Sequence, residues 1–139
     1  MAEQTIYKPR KVFTLEEANR TLPLVTRVIR DIVAEHQTLS DLNAKAREAD
    51  EQGRQSVVEG IRDTMHDHLH QLEDYVEELQ QVGCEFKDPR EGLVDFPARI
   101  PKGNRLVFLC WKLGESEIRF WHAINSGFAG RKPVEGFFR

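Results

Sequence analysis

The sequence predicts an α+β fold in which a long antiparallel helical hairpin packs against a small C-terminal antiparallel β-sheet. A near-heptad spacing of apolar residues from 22 to 82 predicts two helices, and a polar stretch around Gly53 predicts the turn between them. After Gly83 the chain becomes aromatic, β-branched and rich in turns, which indicates strands. We expect a single domain over residues 1–139, with the hairpin at about 14–83 and the β-rich part at about 84–139.

The first helix carries a start signal and an interruption signal. Thr14 and Glu17 have the spacing of a capping box, so the helix is expected to begin at Leu15. Pro23 lacks an N–H group and its ring crowds the preceding turn. A kink or a restart is therefore expected around Leu22.

Both helices carry an apolar stripe that two helices alone cannot bury. Each arm is about 30 residues and so about 45 Å long, and Gly83 is a natural stop for the second. The C-terminal segment or a second copy of the chain must cover the stripe. Its positions are Leu22, Val25, Ile29, Ile32, His36, Leu39, Asn43 and Ala46, then Val58, Ile61, Met65, His68, Leu72, Tyr75, Leu79 and Val82.

The histidines of the hairpin suggest a metal site but do not predict one. His66 and His70 lie one turn apart, as chelation requires, yet they point away from the stripe towards solvent. His36 and His68 should come within about a turn of each other across the hairpin. That contact could be a metal site, a pH-sensitive pair or a polar pair that sets register, and we favour the structural interpretation. No metal site and no cofactor are predicted.

The C-terminal part is expected to form a β-hairpin from Arg105–Leu113 and Ile118–Ile124. A third strand is expected at Gly92–Phe96, ended by Pro97. A loop of two or four residues pairs Leu113 with Ile118, Trp111 with Phe120, Leu109 with His122 and Val107 with Ile124 on one face, and Lys112 with Arg119 and Cys110 with Trp121 on the other. The apolar face should lie on the helices.

His122 is the one ionisable group expected on that apolar face. Burial would lower its pKa unless a carboxylate such as Asp95 or Glu117 is near. It could be a general base or a ligand contact, or it could simply bond to backbone beneath the helices.

Two further features complete the candidate site. Gly127–Pro133 could form a backbone concavity for an anion, helped by Arg131, although an ordinary turn is favoured. Trp111 and Trp121 are expected on opposite hairpin faces, so that one is core and Trp121 lines a pocket or a subunit interface. The candidate ligand-binding residues are Asp95, Trp111, Trp121, His122 and Arg131.

Charge and cysteine usage restrict the partners. Residues 1–98 hold 12 basic and 20 acidic side chains, whereas residues 99–139 hold 8 basic and 3 acidic. Because the basic residues are spread out, we expect attraction to the acidic helices, within one chain or across a dimer, rather than nucleic-acid binding. The absence of a membrane-length apolar run and of a signal core predicts a cytoplasmic protein that does not bind membranes. Cys84 and Cys110 are expected to be reduced core thiols.

Five segments resemble one family of small prokaryotic proteins. The segments are Phe13–Asn19 (FTLEEAN), Lys87–Pro97 (KDPREGLVDFP), Leu109–Glu115 (LCWKLGE), Trp121–His122 and Gly127–Pro133 (GFAGRKP). The chain is similar in these segments to DUF2203, a family of unknown function, so the resemblance implies no reaction, cofactor or partner. The motif positions it marks for testing are Glu17, Asn19, Asp95, Trp111, Glu115, His122 and Arg131.

Two functional classes follow from the sequence. We expect a non-catalytic cytoplasmic binding or assembly module that forms a homodimer, with a protein partner as a further option. The alternative is a small enzyme, or a ligand- or metal-binding protein, with a site around His122, Asp95 and Arg131. The first class is favoured because the sequence contains no specific signal for a nucleophile–base pair, a metal site or a phosphate-binding loop.

Overall fold

The computed structural model describes residues 7–139 and confirms the α+β architecture. Helix α1 (Leu15–Glu51) and helix α2 (Gln55–Val82) form the antiparallel hairpin. The predicted capping box is present. The Thr14 hydroxyl accepts from the Glu17 amide at 3.1 Å, and the Glu17 carboxylate accepts from the Thr14 amide at 3.0 Å.

The expected restart at Pro23 is wrong, because α1 runs without interruption through this residue. A proline in a helix leaves the carbonyl four residues earlier without its amide donor. Leu22 and Val25, on either side, are 7% and 0% exposed and belong to the main core. Burial of these two side chains offsets the lost hydrogen bond and keeps the helix continuous.

The hairpin ends at Gly83, as predicted. Its φ of +103° places it in the left-handed region, where its amide donates to the carbonyls of Leu79 and Gln80. A side chain here would also meet Lys11 Cβ at 2.9 Å. Both the backbone conformation and the close approach of the N-terminal segment therefore require glycine.

Within residues 7–139 the sheet has five antiparallel strands in sequential order rather than the three expected. The additional strands are short and lie at the two edges. The bounds are β1 Glu85–Asp88, β2 Leu93–Arg99, β3 Leu106–Lys112, β4 Phe120–Ala123 and β5 Lys132–Pro133, with a 3₁₀ turn at Phe128–Gly130 before β5.

Strand β2 continues through Pro97, so the expected end at this proline is wrong. The Pro97 carbonyl accepts from the amide of Phe13 at 2.7 Å. Within one strand residue, N and C=O point to the same side, so the missing N–H faces Phe13 and not β3. The ladder to β3 loses no hydrogen bond there, and the strand extends to Arg99.

The register between β3 and β4 differs from the prediction by one residue. Leu109 pairs with Trp121, and Phe108 pairs with His122. The predicted register needs an even number of loop residues, whereas the chain between the strands, 113–119, has an odd number. The Glu115 side chain closes this loop, because it accepts from the Lys112 amide at 2.7 Å.

The slip transfers every residue of β4 to the opposite face. Trp111 and Trp121 both lie in the core cluster against the helices, so their expected separation is wrong. His122 lies on the other face, not beneath the helices as expected. The helix-facing layer of the sheet consists of Val94, Phe96, Ala98, Val107, Leu109, Trp111 and Trp121, packed with Val25, Ile29 and Ile32 of α1.

The turn before β2 fixes the sheet close to the helix. Gly92 has a φ of +71°, and a side chain there would lie 2.8 Å from Leu113 Cβ and 2.9 Å from Ile29 Cγ2. Only glycine allows the turn to pass between α1 and the end of β3. The following strand residues are therefore held in a fixed position.

Candidate functional site on the open face of the sheet

The candidate site consists of Asp95, Cys110 and His122, which lie on three adjacent strands. Asp95 pairs with Cys110, and His122 pairs with Phe108, two residues before Cys110 on β3, so all three side chains share the face that the helices leave open. They are 4%, 1% and 3% exposed. One carboxylate oxygen, the sulfur and one ring nitrogen all lie within 4.8 Å of one another. We call these three residues the Asp–Cys–His cluster.

His122 is held through both of its ring nitrogens. Its Nδ1 lies 2.8 Å from the carbonyl oxygen of Ala123, and its Nε2 lies 3.0 Å from Asp95 Oδ2. A backbone carbonyl can only accept, so Nδ1 carries a hydrogen. The ring orientation is thus fixed by the backbone of its own strand.

The charge of His122 follows from its surroundings. Burial lowers the pKa of His122. Hydrogen bonds with Asp95, Cys110 and the Ala123 carbonyl, together with the Asp95 charge, outweigh this effect and raise the pKa to about 10. At neutral pH the ring is therefore a cation paired with the Asp95 carboxylate. The sequence predicts that burial lowers the His122 pKa unless a carboxylate such as Asp95 or Glu117 lies nearby. Asp95 is that carboxylate. Glu117 instead pairs with Arg119 and Arg139.

This protonation state decides what the cluster can do chemically. An imidazolium that donates from both nitrogens has no lone pair, so His122 cannot take a proton from Cys110 or from a substrate. In this protonation state the arrangement is not a nucleophile–base pair, although it contains a thiol, an imidazole and a carboxylate. It can bind a group that replaces the Asp95–His122 contact or that approaches the thiol.

A small pocket opens above the cluster. Its volume is about 240 Å³, and Phe108, Phe128, Lys87 and other residues surround the three polar groups. Lys87 lies over the Phe108 ring, with its Nζ 5.3 Å from the ring centroid, and pairs with Glu85. The walls are mostly apolar, and the polar groups converge at the floor, as in small-molecule sites.

The family model for an uncharacterized conserved protein, DUF2203, matches residues 11–134. The chain belongs to the DUF2203 family. Comparisons with curated proteins and with solved structures gave no match.

In this DUF2203 chain, Arg131 is bound rather than available for an anion. Its Nη2 donates to both oxygens of Glu115, at 2.7 and 3.0 Å, and to the Cys110 carbonyl at 3.2 Å. The guanidinium carbon lies 4.1 Å from the Phe120 ring centroid and 4.6 Å from that of Phe128. Arg131 therefore fastens the Gly127–Pro133 segment beside the site, and this segment forms a 3₁₀ turn and a short strand.

Several other DUF2203 motif residues have structural roles. Asn19 Oδ1 accepts from the Ile118 amide at 2.7 Å and joins α1 to the β3–β4 loop. Trp111 Nε1 donates to the Glu115 carbonyl at 2.9 Å. Trp121 packs against Phe137, with ring centroids 5.0 Å apart. Of the five candidate ligand-binding residues, the structure brings together Asp95 and His122, places Arg131 beside the Cys110 carbonyl, and puts both tryptophans in the core.

Cys110 is the member of the cluster that sequence reasoning missed. The expected register placed it on the face opposite His122, and a lone cysteine gave no motif. Both cysteines are free and buried, as predicted. Burial raises the pKa of the Cys84 thiol to about 12. Cys84 belongs to the core cluster on the helix side, so the two thiols have different surroundings.

The hairpin histidines lie on the helices and not on the open face of the sheet. His68 pairs with Glu35 of the facing helix at 2.7 Å, one residue before the His36 expected as its neighbour. His66 and His70 are exposed, and their Nε2 atoms lie 3.1 Å apart. Over residues 7–139, neither helix is long and apolar enough to cross a membrane.

Proposed function

We propose that this protein is a binding protein for a small polar ligand, and that the Asp–Cys–His cluster is the floor of its binding site. The observation that carries the proposal is the buried Asp95–His122 ion pair, 3.0 Å long, on the sheet face that does not pack against the helices. The sequence favours a binding protein and, as its alternative, a ligand site around His122, Asp95 and Arg131. The proposal combines that function with that location.

Buried ion pairs are a costly way to stabilise a protein. Removing two charges from water carries a large desolvation cost, and a well-packed apolar pair of similar volume is often as stable or more so. The surrounding side chains, Leu93, Phe108 and Phe128, are apolar. A charged pair retained among them, beside a pocket, supports a role in binding.

The size of the pocket limits the ligand. Sites for drug-sized organic molecules usually span roughly 300–1,000 Å³. At about 240 Å³ this pocket is smaller and fits an ion or a small molecule. Because both nitrogens of His122 are donors, the cluster supports binding better than acid–base catalysis.

Native mass spectrometry of protein purified without chelators tests this proposal. The parent chain is expected to carry a bound mass that the double variant Asp95→Val/His122→Phe lacks. The control is His66→Asn/His70→Asn, which changes exposed histidines on α2 and should retain the bound mass. Equal masses per chain for the parent and the Asp95/His122 variant, once corrected for the substitutions, would contradict the proposal.

The partners and location remain predictions. The homodimer, the cytoplasmic location and a possible protein partner are expected from the sequence, and the binding site proposed above depends on none of them. The pocket residues come from one chain.

A further inference from the structure

We infer that the ligand of this site is a divalent transition-metal ion of the zinc type, bound by an Asp95 oxygen, the Cys110 sulfur and His122 Nε2. This inference rests on the proposed function and names the ligand class. The sequence left a metal-binding site around His122 and Asp95 as an alternative, but it did not include Cys110, because the predicted register separated Cys110 from His122.

The donor set selects the class of metal. Thiolate, imidazole and carboxylate are the three protein ligands of Zn²⁺. Mg²⁺ and Ca²⁺ take oxygen ligands and would not use a sulfur. A mixed set of sulfur, nitrogen and oxygen therefore favours Zn²⁺ and the neighbouring transition metals Co²⁺ and Ni²⁺.

The spacing of the three atoms suits a tetrahedral site. Metal bonds of the usual length place neighbouring ligand atoms about 3.3–3.6 Å apart. The Asp95 oxygen and His122 Nε2 are 3.0 Å apart, and all three ligand atoms lie within 4.8 Å of one another. Side-chain shifts of a few tenths of an ångström to about 1 Å would produce the tetrahedral spacing. Each ligand comes from a strand rather than a flexible loop, so the backbone is already in position.

The hydrogen bond from His122 to the Ala123 carbonyl has the form of an outer-shell contact. Metal-binding histidines usually donate their other N–H to a carbonyl or carboxylate, which fixes the ring and directs the second nitrogen at the metal. Here Nδ1 donates to the Ala123 carbonyl at 2.8 Å, and Nε2 is directed at Asp95 and Cys110. The metal would take the place of the hydrogen between Nε2 and Asp95.

Three protein ligands leave one position of a tetrahedral ion open. Structural zinc sites usually have four protein ligands, whereas sites with three bind water or a small ligand in the fourth position. The pocket lies over the cluster and has room for such a group. On binding, the Nε2 hydrogen and the Cys110 thiol hydrogen leave as protons to solvent, and no oxidation or reduction occurs.

Cobalt titration of the metal-free protein tests the inference, because Co²⁺ bound to thiolate gives a near-ultraviolet charge-transfer band. The chain has two cysteines, so the band can be assigned by two substitutions. We expect saturation at one Co²⁺ per chain, displacement by Zn²⁺, loss of the band in Cys110→Ser, and retention in Cys84→Ser. His122→Asn should raise the dissociation constant by about 100-fold or more, since loss of an outer-shell partner alone costs roughly 10–100-fold. The control variant His66→Asn/His70→Asn should change neither the cobalt band nor the dissociation constant.

The cobalt spectrum of the parent protein tests the metal assignment even if a variant fails to fold. A folded parent protein that gives no thiolate band at stoichiometric Co²⁺, or a band that survives in folded Cys110→Ser, would overturn the inference. If cobalt fails to bind while native mass spectrometry still shows an organic mass lost in Asp95→Val/His122→Phe, the metal assignment fails and the binding proposal stands.

Discussion

Replacing Asp95 by valine alone is expected to lower the free energy of unfolding by about 3–5 kcal/mol, because it removes the counter-charge and the hydrogen-bond partner of the buried His122 ring. The pair is 3.0 Å long, and its side chains are 4% and 6% exposed for His122 and Asp95. Urea denaturation followed by far-ultraviolet circular dichroism measures this change. Asp67→Ala, which removes an exposed carboxylate on α2, is the control and should stay within about 0.5 kcal/mol.

The matching double variant separates stability from function. Asp95→Val/His122→Phe removes both charges and fills similar volume, so we expect most of the lost stability to return, to within about 1 kcal/mol of the parent. Recovery would mean that the pair is not retained for stability, as the binding proposal requires. A double variant no more stable than Asp95→Val would show instead that the ion pair holds the sheet together.

Trp111→Ala is expected to cost about 3–5 kcal/mol of stability while leaving binding at the Asp–Cys–His cluster intact. Trp111 is fully buried in the layer between the sheet and the helices, and its Nε1 donates to the Glu115 carbonyl. Its ring therefore lies on the opposite face of the sheet from Cys110, the preceding residue. Denaturation gives the stability, and cobalt titration at low temperature gives the binding.

The control for this second prediction is Leu24→Ala, at a position of α1 that is 39% exposed. It should cost far less than the tryptophan substitution, because little apolar area returns to water. A folded Trp111→Ala protein that loses the cobalt band would place the tryptophan in the site, as the sequence first suggested, and would contradict the arrangement described above.

The helical hairpin was predictable because its signals are local. The capping box at Thr14 and Glu17, and the glycines at 53 and 83, each act within a few residues, and all three appear as expected. Pro23 was the exception. Its cost is local, but the burial that offsets it comes from the sheet, which local pattern does not reveal.

The sheet was less predictable because its register depends on the number of loop residues. A change of one residue in the length of the β3–β4 loop moves His122 from one face of the sheet to the other. The Glu115 contact that closes this loop cannot be predicted from the sequence pattern. Edge strands β1 and β5 have four and two residues, too short for a periodic signal. Asp95 and His122 were identified as candidates by residue type, but their meeting with Cys110 depends on that register.

The family motifs contain both residues that hold the fold together and residues of the candidate site. Asn19, Glu115 and Arg131 join the helix, the loop and the C-terminal segment through hydrogen bonds. Asp95 and His122 form a buried ion pair on the open face of the sheet. A motif alone does not separate these roles, whereas the face of the sheet on which each side chain lies does.

The most direct test of the proposed site is a crystal structure of the protein purified without chelators, with anomalous data collected at the edge of any metal detected. We predict a non-protein group within bonding distance of His122 Nε2, Asp95 and Cys110, in the pocket over the open face of the sheet. A well-ordered pocket that holds only water, with the Asp95–His122 contact still at 3.0 Å, would contradict it.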